Sequence, residues 1–186
     1  MGAVLEAAKA EKLKKTSQLY IGIDPGLHGA VAVLRGNKFI GVWDTPTTIV
    51  KRGKKTHTVY LPASMVEVLK RIANDYGSSL MESVVGLEEV HAMPGQGVTS
   101  MFSMGKGSGL WEGIITALGM SLVRIPPQRW KKEMLADGKG KDKQASIVRA
   151  LELFPNASPQ LTRKKDEGRA EAILIAEYLQ RTKAGV

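Results

Sequence analysis

Short apolar runs separated by turn residues mark the first quarter of the chain. Leu19–Asp24 reads LYIGID and stops at Pro25-Gly26, which predicts a buried strand that terminates on an acid. Two more runs follow at Ala30–Leu34 and Lys38–Trp43, separated by the turn Gly36-Asn37. Three strands joined by tight turns predict an antiparallel meander.

Helical spacing begins at Pro62–Tyr76, where Met65, Val68, Leu69 and Ile72 recur on one face. Beyond it the apolar pattern alternates between short strands and helices. The predicted elements are a strand at Ser83–Glu88, a helix at Leu110–Leu118, a strand at Met120–Ile125, and helices at Gln128–Leu135 and Gln144–Leu153. Local strands followed by helical crossovers predict an α/β fold, with a mixed five-stranded sheet and helices on both faces.

Two polar segments interrupt this pattern. Thr45–Tyr60 carries Lys51, Arg52, Lys54, Lys55 and His57, and it is too long for an ordinary hairpin loop. It is either a functional loop or a solvated, partly disordered arm. The segment His91–Gly109 is rich in glycine, methionine and serine, and we expect a loop there.

The last segment, Arg163–Tyr178, begins basic, turns acidic and ends as an apolar helix. Asp166 is a suitable N-cap residue for that helix. Glu167 and Glu171 then lie one turn apart, on the face that continues through Leu174 and Tyr178. A carboxylate on a packing face is costly unless a cation meets it. The alternative is that these acids only complement the helix dipole.

Asp24 and Glu88 each end a predicted strand, and parallel neighbours would bring both carboxylates to one edge of the sheet. The helix that carries Glu167 and Glu171 would complete a cluster of four acids there. Such a cluster predicts divalent cations with oxygen ligands, Mg²⁺ with Mn²⁺ as a substitute. Two ions about 4 Å apart can activate water and stabilise the leaving oxygen of a phosphodiester.

Composition supports a polyanionic partner. The formal net charge is +9 over 186 residues, which favours nucleic acid, with simple solubility as the alternative. The chain has no cysteine, so disulfides and thiolate chemistry are excluded. No apolar run approaches a membrane span, so no membrane is expected. We expect one nuclease domain at 17–186, preceded by an exposed N-terminal extension at 1–16 that lacks the features of a secretory signal or an organellar transit peptide.

Three motifs together resemble the RuvC family of Holliday junction resolvases. They are GIDPG at Gly22–Gly26, LEEV at Leu87–Val90 and KKDEGRAEAILIA at Lys164–Ala176. The third is most similar to the phage and chloroplast members, whose counterpart reads close to KKDHGRAEALLIA. The resemblance covers roughly Leu19 to Tyr178. It implies an RNase H-like fold, a homodimer, Mg²⁺ dependence with two ions per active site, and symmetric nicking of two opposed strands of a four-way DNA junction.

The resemblance also implies site residues. The catalytic acids and metal ligands would be Asp24, Glu88, Glu167 and Glu171, while Lys131 and Lys143 align with family lysines near the scissile phosphate. The family often has His or Asp at the third acidic position, so Glu167 acts either as a general base or only as a ligand.

DNA contacts are expected from a further set of residues. In bacterial members an aromatic residue that wedges into the junction occupies the position of His91, and Met93, Met101 and Phe102 are alternative wedges. Lys106, Arg129 and Lys132 are expected backbone contacts. The alternatives are core or dimer-interface packing for Met101 and Phe102, and solvated surface charge for the cations. The segment His91–Gly109 and the helix Leu110–Leu118 are expected near the dimer interface.

The functional prediction is therefore a structure-selective endonuclease for DNA recombination and repair. The alternatives are an RNase H-like nuclease on other branched DNA or hybrids, and a catalytically silent junction-binding protein. An actin-like ATPase is excluded because 186 residues without a repeat cannot hold two lobes. The expected location is the cytoplasm of a bacterial cell or phage-infected host, with an organelle as the alternative.

Overall fold

The structure, a computed structural model, describes residues 18–76, 79–92, 95, 97–135 and 143–184, without the side chains at positions 143, 183 and 184. The predicted extension at 1–16 lies outside the described residues. So do Met93, the residues 136–142 and the side chain of Lys143.

Five strands form one mixed sheet in the spatial order β3-β2-β1-β6-β7. Strands β1, β2 and β3 form the predicted antiparallel meander, and β6 and β7 run parallel to β1. A separate two-stranded sheet pairs β4 with β5. The bounds are β1 Leu19–Ile23, β2 Ala30–Arg35, β3 Lys38–Asp44, β4 Thr47–Arg52, β5 Lys55–Tyr60, β6 Val84–Glu88 and β7 Ser121–Ile125.

Helices cover both faces of the large sheet, which confirms the predicted fold class. One core joins Tyr20 and its neighbours to α3, α4 and α5, and the other joins Leu19, Ile21 and Ile23 to α1 and α2. Alternate residues of β1 therefore enter opposite cores, as the pleat of a strand requires. The bounds are α1 Pro62–Asp75, α2 Val98–Ala117, α3 Pro127–Met134, α4 Lys143–Leu153 and α5 Glu167–Ala184, with 3₁₀ turns at Leu80–Glu82 and Pro155–Gln160.

Helix α2 corrects the prediction of a loop over His91–Gly109, because the helix already begins at Val98. Glycine is a poor helix former, which is why the pattern did not predict the first three turns. At Gly107, packing favours glycine within the helix. It is buried where α2 touches Pro25 and Tyr60, and a Cβ there would overlap both residues. Close packing at that point therefore outweighs the low helix propensity of glycine.

The segment Thr45–Tyr60 also differs from the prediction, since it is an ordered β-hairpin instead of a loop or a disordered arm. Strands β4 and β5 pair over six positions, from Thr47 opposite Tyr60 to Arg52 opposite Lys55. Gly53 begins the two-residue turn and has a φ of 60°, which favours glycine.

Helix α5 crosses β1 and β6 at two strand glycines. A Cβ at Gly22 would overlap the α5 backbone at Ala172 and Ala176, and a Cβ at Gly86 would strike Ile125 and lie 3.3 Å from Leu179. The backbone of α5 therefore lies directly on β1 just before Asp24, and side chains of α5 and β7 pack against β6 just before Glu88.

Replacing Gly22 with alanine is therefore expected to lower the free energy of unfolding by about 3 kcal/mol or more, because α5 must move away from β1. The matched control is Gly113→Ala in α2, where an added Cβ meets nothing within 4 Å. That change is expected to leave stability within about 1 kcal/mol of the parent chain. Urea denaturation followed by circular dichroism measures both. Equal effects of the two substitutions would contradict the proposed contact.

Candidate active site

Two acids lie side by side at one edge of the sheet. Ile23 of β1 pairs in parallel with Leu87 of β6, so Asp24 and Glu88 occupy the next position on neighbouring strands. Asp24 is partly buried and Glu88 is 9% exposed. The backbone N–H of Gly26 donates to Asp24 Oδ1 at 3.1 Å, which fixes this carboxylate at the turn. The predicted convergence of the strand ends is therefore present.

Helix α3 brings two side chains to these acids. Trp130 is fully buried, and its Nε1–H donates to Glu88 Oε1 at 2.9 Å. Lys131 Nζ lies 3.0 Å from Glu171 Oε1, so an ion pair joins α3 to α5. Two of the four predicted acids thus have defined partners on α3.

Three carboxylates influence one another strongly. Burial, then the charges of Glu171 and Glu88, raises the pKa of Asp24 to about 7. Burial and the charge of Glu171 likewise raise the pKa of Glu88, against the hydrogen bond from Trp130. Burial alone would lower the pKa of Lys131, but the neighbouring carboxylates outweigh it and the pKa is raised. The cluster carries excess negative charge, which Lys131 offsets only in part.

An open cleft of about 950 Å³ contains the remaining predicted acid. Glu167, Gly168 and Glu171 line it from α5, opposite Asp24. Gly168 permits this approach, since a Cβ there would lie 2.9 Å from Asp24 Oδ2. The other lining residues come from the loop after β1, the hairpin, α2 and the turn before α5: Gly26, Leu27, His28, Gly29, Thr56, His57, Thr58, Thr99, Ser100, Ser103, Met104, Lys164 and Lys165.

The donor set suits a hard divalent cation, because it consists of carboxylate oxygens and needs further positive charge. Within the described residues, however, no three acidic or histidine side chains are grouped closely enough to hold a metal ion. The side chains of Trp130 and Lys131 engage Glu88 and Glu171 instead. The chemistry of the donors fits Mg²⁺, and the four-acid metal site remains a prediction.

Asp166 occupies the predicted N-cap position of α5, and its side chain bonds to a residue that precedes the helix. Its carbonyl accepts from the N–H of Ala170, so it does precede the first turn of α5. Its fully buried side chain accepts from the backbone N–H of Arg163 at 2.6 Å and from Arg163 Nε at 2.7 Å. Burial acts to raise the pKa of Asp166, but these hydrogen bonds outweigh it and the pKa lies below its usual value. Arg163 and Arg169 also bind Asp44 at the end of β3, which fixes the entry to α5.

The predicted DNA-binding residues are spread over three elements around the site. Phe102 and Lys106 are exposed on α2, and Met101 is half-buried. Arg129 and Lys132 are exposed on α3, beside Lys131. His91 is exposed after β6, with Nε2 3.5 Å from Glu89 Oε2. None of them lines the large cleft, and their roles remain predictions.

Several residues of the site were not predicted. Trp130 lies between Arg129 and Lys131, two cations of α3 that were predicted as site residues. No local pattern indicates its hydrogen bond to Glu88, which lies 42 positions away in the sequence. His28, Lys164 and Lys165 line the cleft and lie within four positions of Asp24 or Glu167 in the sequence, so their proximity in sequence was the available signal. Tyr60 is buried and donates to Pro25 O at 3.2 Å, next to Asp24.

The mixed five-stranded sheet with helices on both faces defines an RNase H-like fold, and comparison with solved structures bears out this fold. The structure is similar to Thermus thermophilus RuvC in complex with a Holliday junction substrate, with a TM-score of 0.53 and 14% identity. The match covers 91% of this chain and 97% of that chain. Within the described residues, no helix has the length and apolar character needed to cross a membrane.

In sequence, the chain is similar to the chloroplastic Holliday junction resolvase MOC1 of Chlamydomonas reinhardtii. The two are 31% identical over 150 residues, which confirms the resemblance that the motifs indicate. The alignment covers 74% of this chain but only 17% of that protein, so the chain corresponds to a small part of it. No protein-family model matches the chain.

The raised pKa of Asp24 predicts a pH-dependent stability for the metal-free protein. Asp24 keeps its proton in the folded state up to about pH 7, whereas an unfolded aspartate loses it near pH 4. The folded state therefore binds more protons between these values, and stability falls as the pH rises through them. Asp24→Asn removes this effect.

The stability advantage of Asp24→Asn over the parent chain is expected to grow by on the order of 3 kcal/mol from pH 4 to pH 8. Urea denaturation in EDTA at both pH values measures this difference. An advantage that stays constant with pH would show that Asp24 ionises normally.

Proposed function

We propose that the chain is a structure-selective, metal-dependent endonuclease that resolves four-way DNA junctions by nicking two opposed strands symmetrically. The observation that carries the proposal is the cluster of Asp24, Glu88 and Glu171 with Lys131, at the ends of two parallel strands and beside an open cleft. Carboxylates gathered in this way suit phosphodiester hydrolysis, in which metal ions offset the charge of the phosphate.

Two similarities support this choice of substrate. MOC1 is named as a Holliday junction resolvase, and the matched RuvC structure contains a Holliday junction substrate. Because the chain covers only 17% of MOC1, we include junction resolution by this chain as part of the proposal. The net charge of +9 favours the same class of ligand.

Asp24, Glu88, Glu167 and Glu171 are the residues that would hold Mg²⁺, or Mn²⁺ in its place, with two ions per site. When bound, such ions lower the pKa of water and stabilise the leaving oxygen. Asp24 is the central ligand in this proposal, because its carboxylate faces both strand β6 and helix α5. Glu167 lines the same cleft, where it can accept a proton from water or serve as a ligand.

Lys131 has two roles in the proposed reaction. Its ammonium group holds Glu171 at 3.0 Å before metal binds, and it limits the repulsion among the acids. With the charge of the acids offset by a bound divalent cation, the ammonium group of Lys131 would be free to bind a non-bridging oxygen of the scissile phosphate. Trp130 is a positioning residue, since it fixes the carboxylate of Glu88 from a fully buried position. Lys143 is proposed as a second cation near the phosphate.

The substrate surface is proposed to extend over α2 and α3. Arg129, Lys132 and Lys106 would contact phosphates on either side of the cleft. Phe102 is 73% exposed, which suits it better than the half-buried Met101 to insert between bases. His91 remains a further candidate for stacking. The proposed location is the bacterial or phage-infected cytoplasm, with an organelle as the alternative because MOC1 is chloroplastic.

Conservative changes in the acid cluster are expected to separate cleavage from binding. Asp24→Asn and Glu171→Gln should each lower the single-turnover cleavage rate by at least ~10³-fold. The affinity for a four-way junction should stay within about threefold, because neither change removes a phosphate contact. Quenched-flow cleavage and fluorescence anisotropy measure the two quantities. Glu133→Gln in α3, an exposed acid of the same region, is the control and should cleave normally.

The choice of substrate is tested with a panel that contains four-way, three-way, flap, linear duplex and RNA–DNA hybrid molecules with Mg²⁺. Paired, symmetric nicks confined to the four-way junction support the proposal. Equal cutting of the hybrid or another branch supports the broader RNase H-like nuclease. Binding without any cleavage supports a catalytically silent junction-binding protein.

Symmetric nicking requires two active sites related by a two-fold axis, so the functional form is proposed to be a homodimer. Sedimentation equilibrium at micromolar concentration is expected to give twice the mass of the 186-residue chain. A monomer under these conditions, with and without junction DNA, would contradict the symmetric mechanism.

A further inference from the structure

The β4–β5 hairpin is a basic element that the acid cluster does not explain. It forms its own two-stranded sheet, apart from the five-stranded one. The segment Thr47–Tyr60 contains no acidic residue, and it carries four cations toward its turn, Lys51, Arg52, Lys54 and Lys55. All four are exposed. Like charges so close together repel, so the arrangement favours binding of an external anion.

These cations differ from most of the described basic side chains elsewhere. Lys70, Arg71, Arg149 and Arg181 each pair with an acid on their own helix. Across the described residues, none of the four hairpin cations lies within 4.0 Å of an acidic oxygen. Their charge is therefore available to a ligand.

The base of the hairpin is fixed to the candidate active site. The N–H of Thr45 donates to Gly29 O at 2.9 Å, and the N–H of Leu61 donates to Pro46 O at 3.0 Å. The Tyr60 hydroxyl lies 3.2 Å from Pro25 O and 3.1 Å from Ser103 O. These bonds tie the hairpin to the loop that follows Asp24 and to α2.

One strand of the hairpin also forms a wall of the cleft. Thr56, His57 and Thr58 of β5 line the same space as Asp24 and Glu171. A strand rises about 3.3 Å per residue, so the cations lie roughly 13–20 Å from the start of the hairpin at Thr47. Lys51 pairs with Thr56 across the hairpin, so the cations begin where β5 leaves the part that lines the cleft, and a nucleic acid that follows this wall from the acids would reach them next.

We infer that the β4–β5 hairpin is a clamp for a duplex DNA arm, which binds backbone phosphates several base pairs from the cleavage site. This inference rests on the proposed function and adds the surface that holds the arm. A two-stranded ribbon has the dimensions to lie in or along a major groove about 12 Å wide. The cations fix the arm through its phosphates and take no part in the chemistry at the acids.

The test compares two variants of identical charge. The hairpin variant is Arg52→Gln/Lys54→Gln/Lys55→Gln. The control is Lys38→Gln/Lys70→Gln/Arg71→Gln, which neutralises three exposed cations that do not line the cleft. Each lowers the formal net charge by three, from +9 to +6. The conservative variant Arg52→Lys/Lys54→Arg/Lys55→Arg keeps the hairpin charge.

Junction binding is measured by fluorescence anisotropy in EDTA between about 50 and 200 mM salt. Each lost phosphate contact reduces the slope of log K against log salt by about 0.9, so the hairpin variant should lose about 2–3. The control and the conservative variant should keep the parent slope. At saturating enzyme with Mg²⁺, the hairpin variant should cut within about threefold of the parent rate.

Several outcomes would overturn the clamp. Equal slopes for the hairpin and control variants would place the phosphate contacts elsewhere, and a slow hairpin variant at saturation would give the hairpin a role in chemistry. Circular dichroism confirms that each variant is folded. If the parent chain binds the junction with the expected slope change but does not cut it, the proposed nuclease function fails while the clamp stands. If it cuts the junction and the two triple variants bind alike, only the clamp fails.

Discussion

The contact between α5 and β1 at Gly22 is the constraint on which the rest of the site depends. No side chain fits between the strand and the helix backbone there, so Ala172 and Ala176 lie directly on the strand. Asp24 is two residues beyond Gly22, and Glu171 immediately precedes Ala172. The distance between these two carboxylates is therefore set by backbone packing. Gly168 repeats the arrangement one turn earlier, against Asp24 and the loop that contains Gly29.

Packing that brings acids together has an electrostatic cost. Two side chains of the short helix α3 offset part of this cost. Trp130 donates to Glu88 and Lys131 pairs with Glu171, so consecutive residues of α3 serve the two acids that flank Asp24. Asp24 accepts a hydrogen bond from the backbone N–H of Gly26, and its pKa is nevertheless raised to about 7. The least compensated carboxylate is thus the central one, as expected for a site that gains its remaining positive charge from a ligand.

The strands and their terminal acids could be predicted from sequence because buried alternation and turn residues are local signals. The hairpin could not, because Thr47–Tyr60 is mostly exposed on both faces and has no apolar alternation to mark its strands. Helix α2 was missed over its first turns because glycine propensity opposes it, while the contact of Gly107 with Pro25 and Tyr60 favours it. Trp130 depends on a partner 42 residues away, which no local pattern contains.

The same long-range contacts connect the hairpin to the acids. Tyr60 ends β5, donates to Pro25 O and packs against Gly107, so one residue joins the basic hairpin, the loop after Asp24 and helix α2. The contacts of Tyr60 would therefore fix the position of a nucleic acid held by the hairpin relative to the acids. The hairpin cations, which have no acidic partner among the described residues, lie at the far end of this connection, and negative charge that lacks full compensation lies at its base. A phosphate backbone bound at the hairpin would offset its positive charge, and metal ions bound at the acids would offset their negative charge.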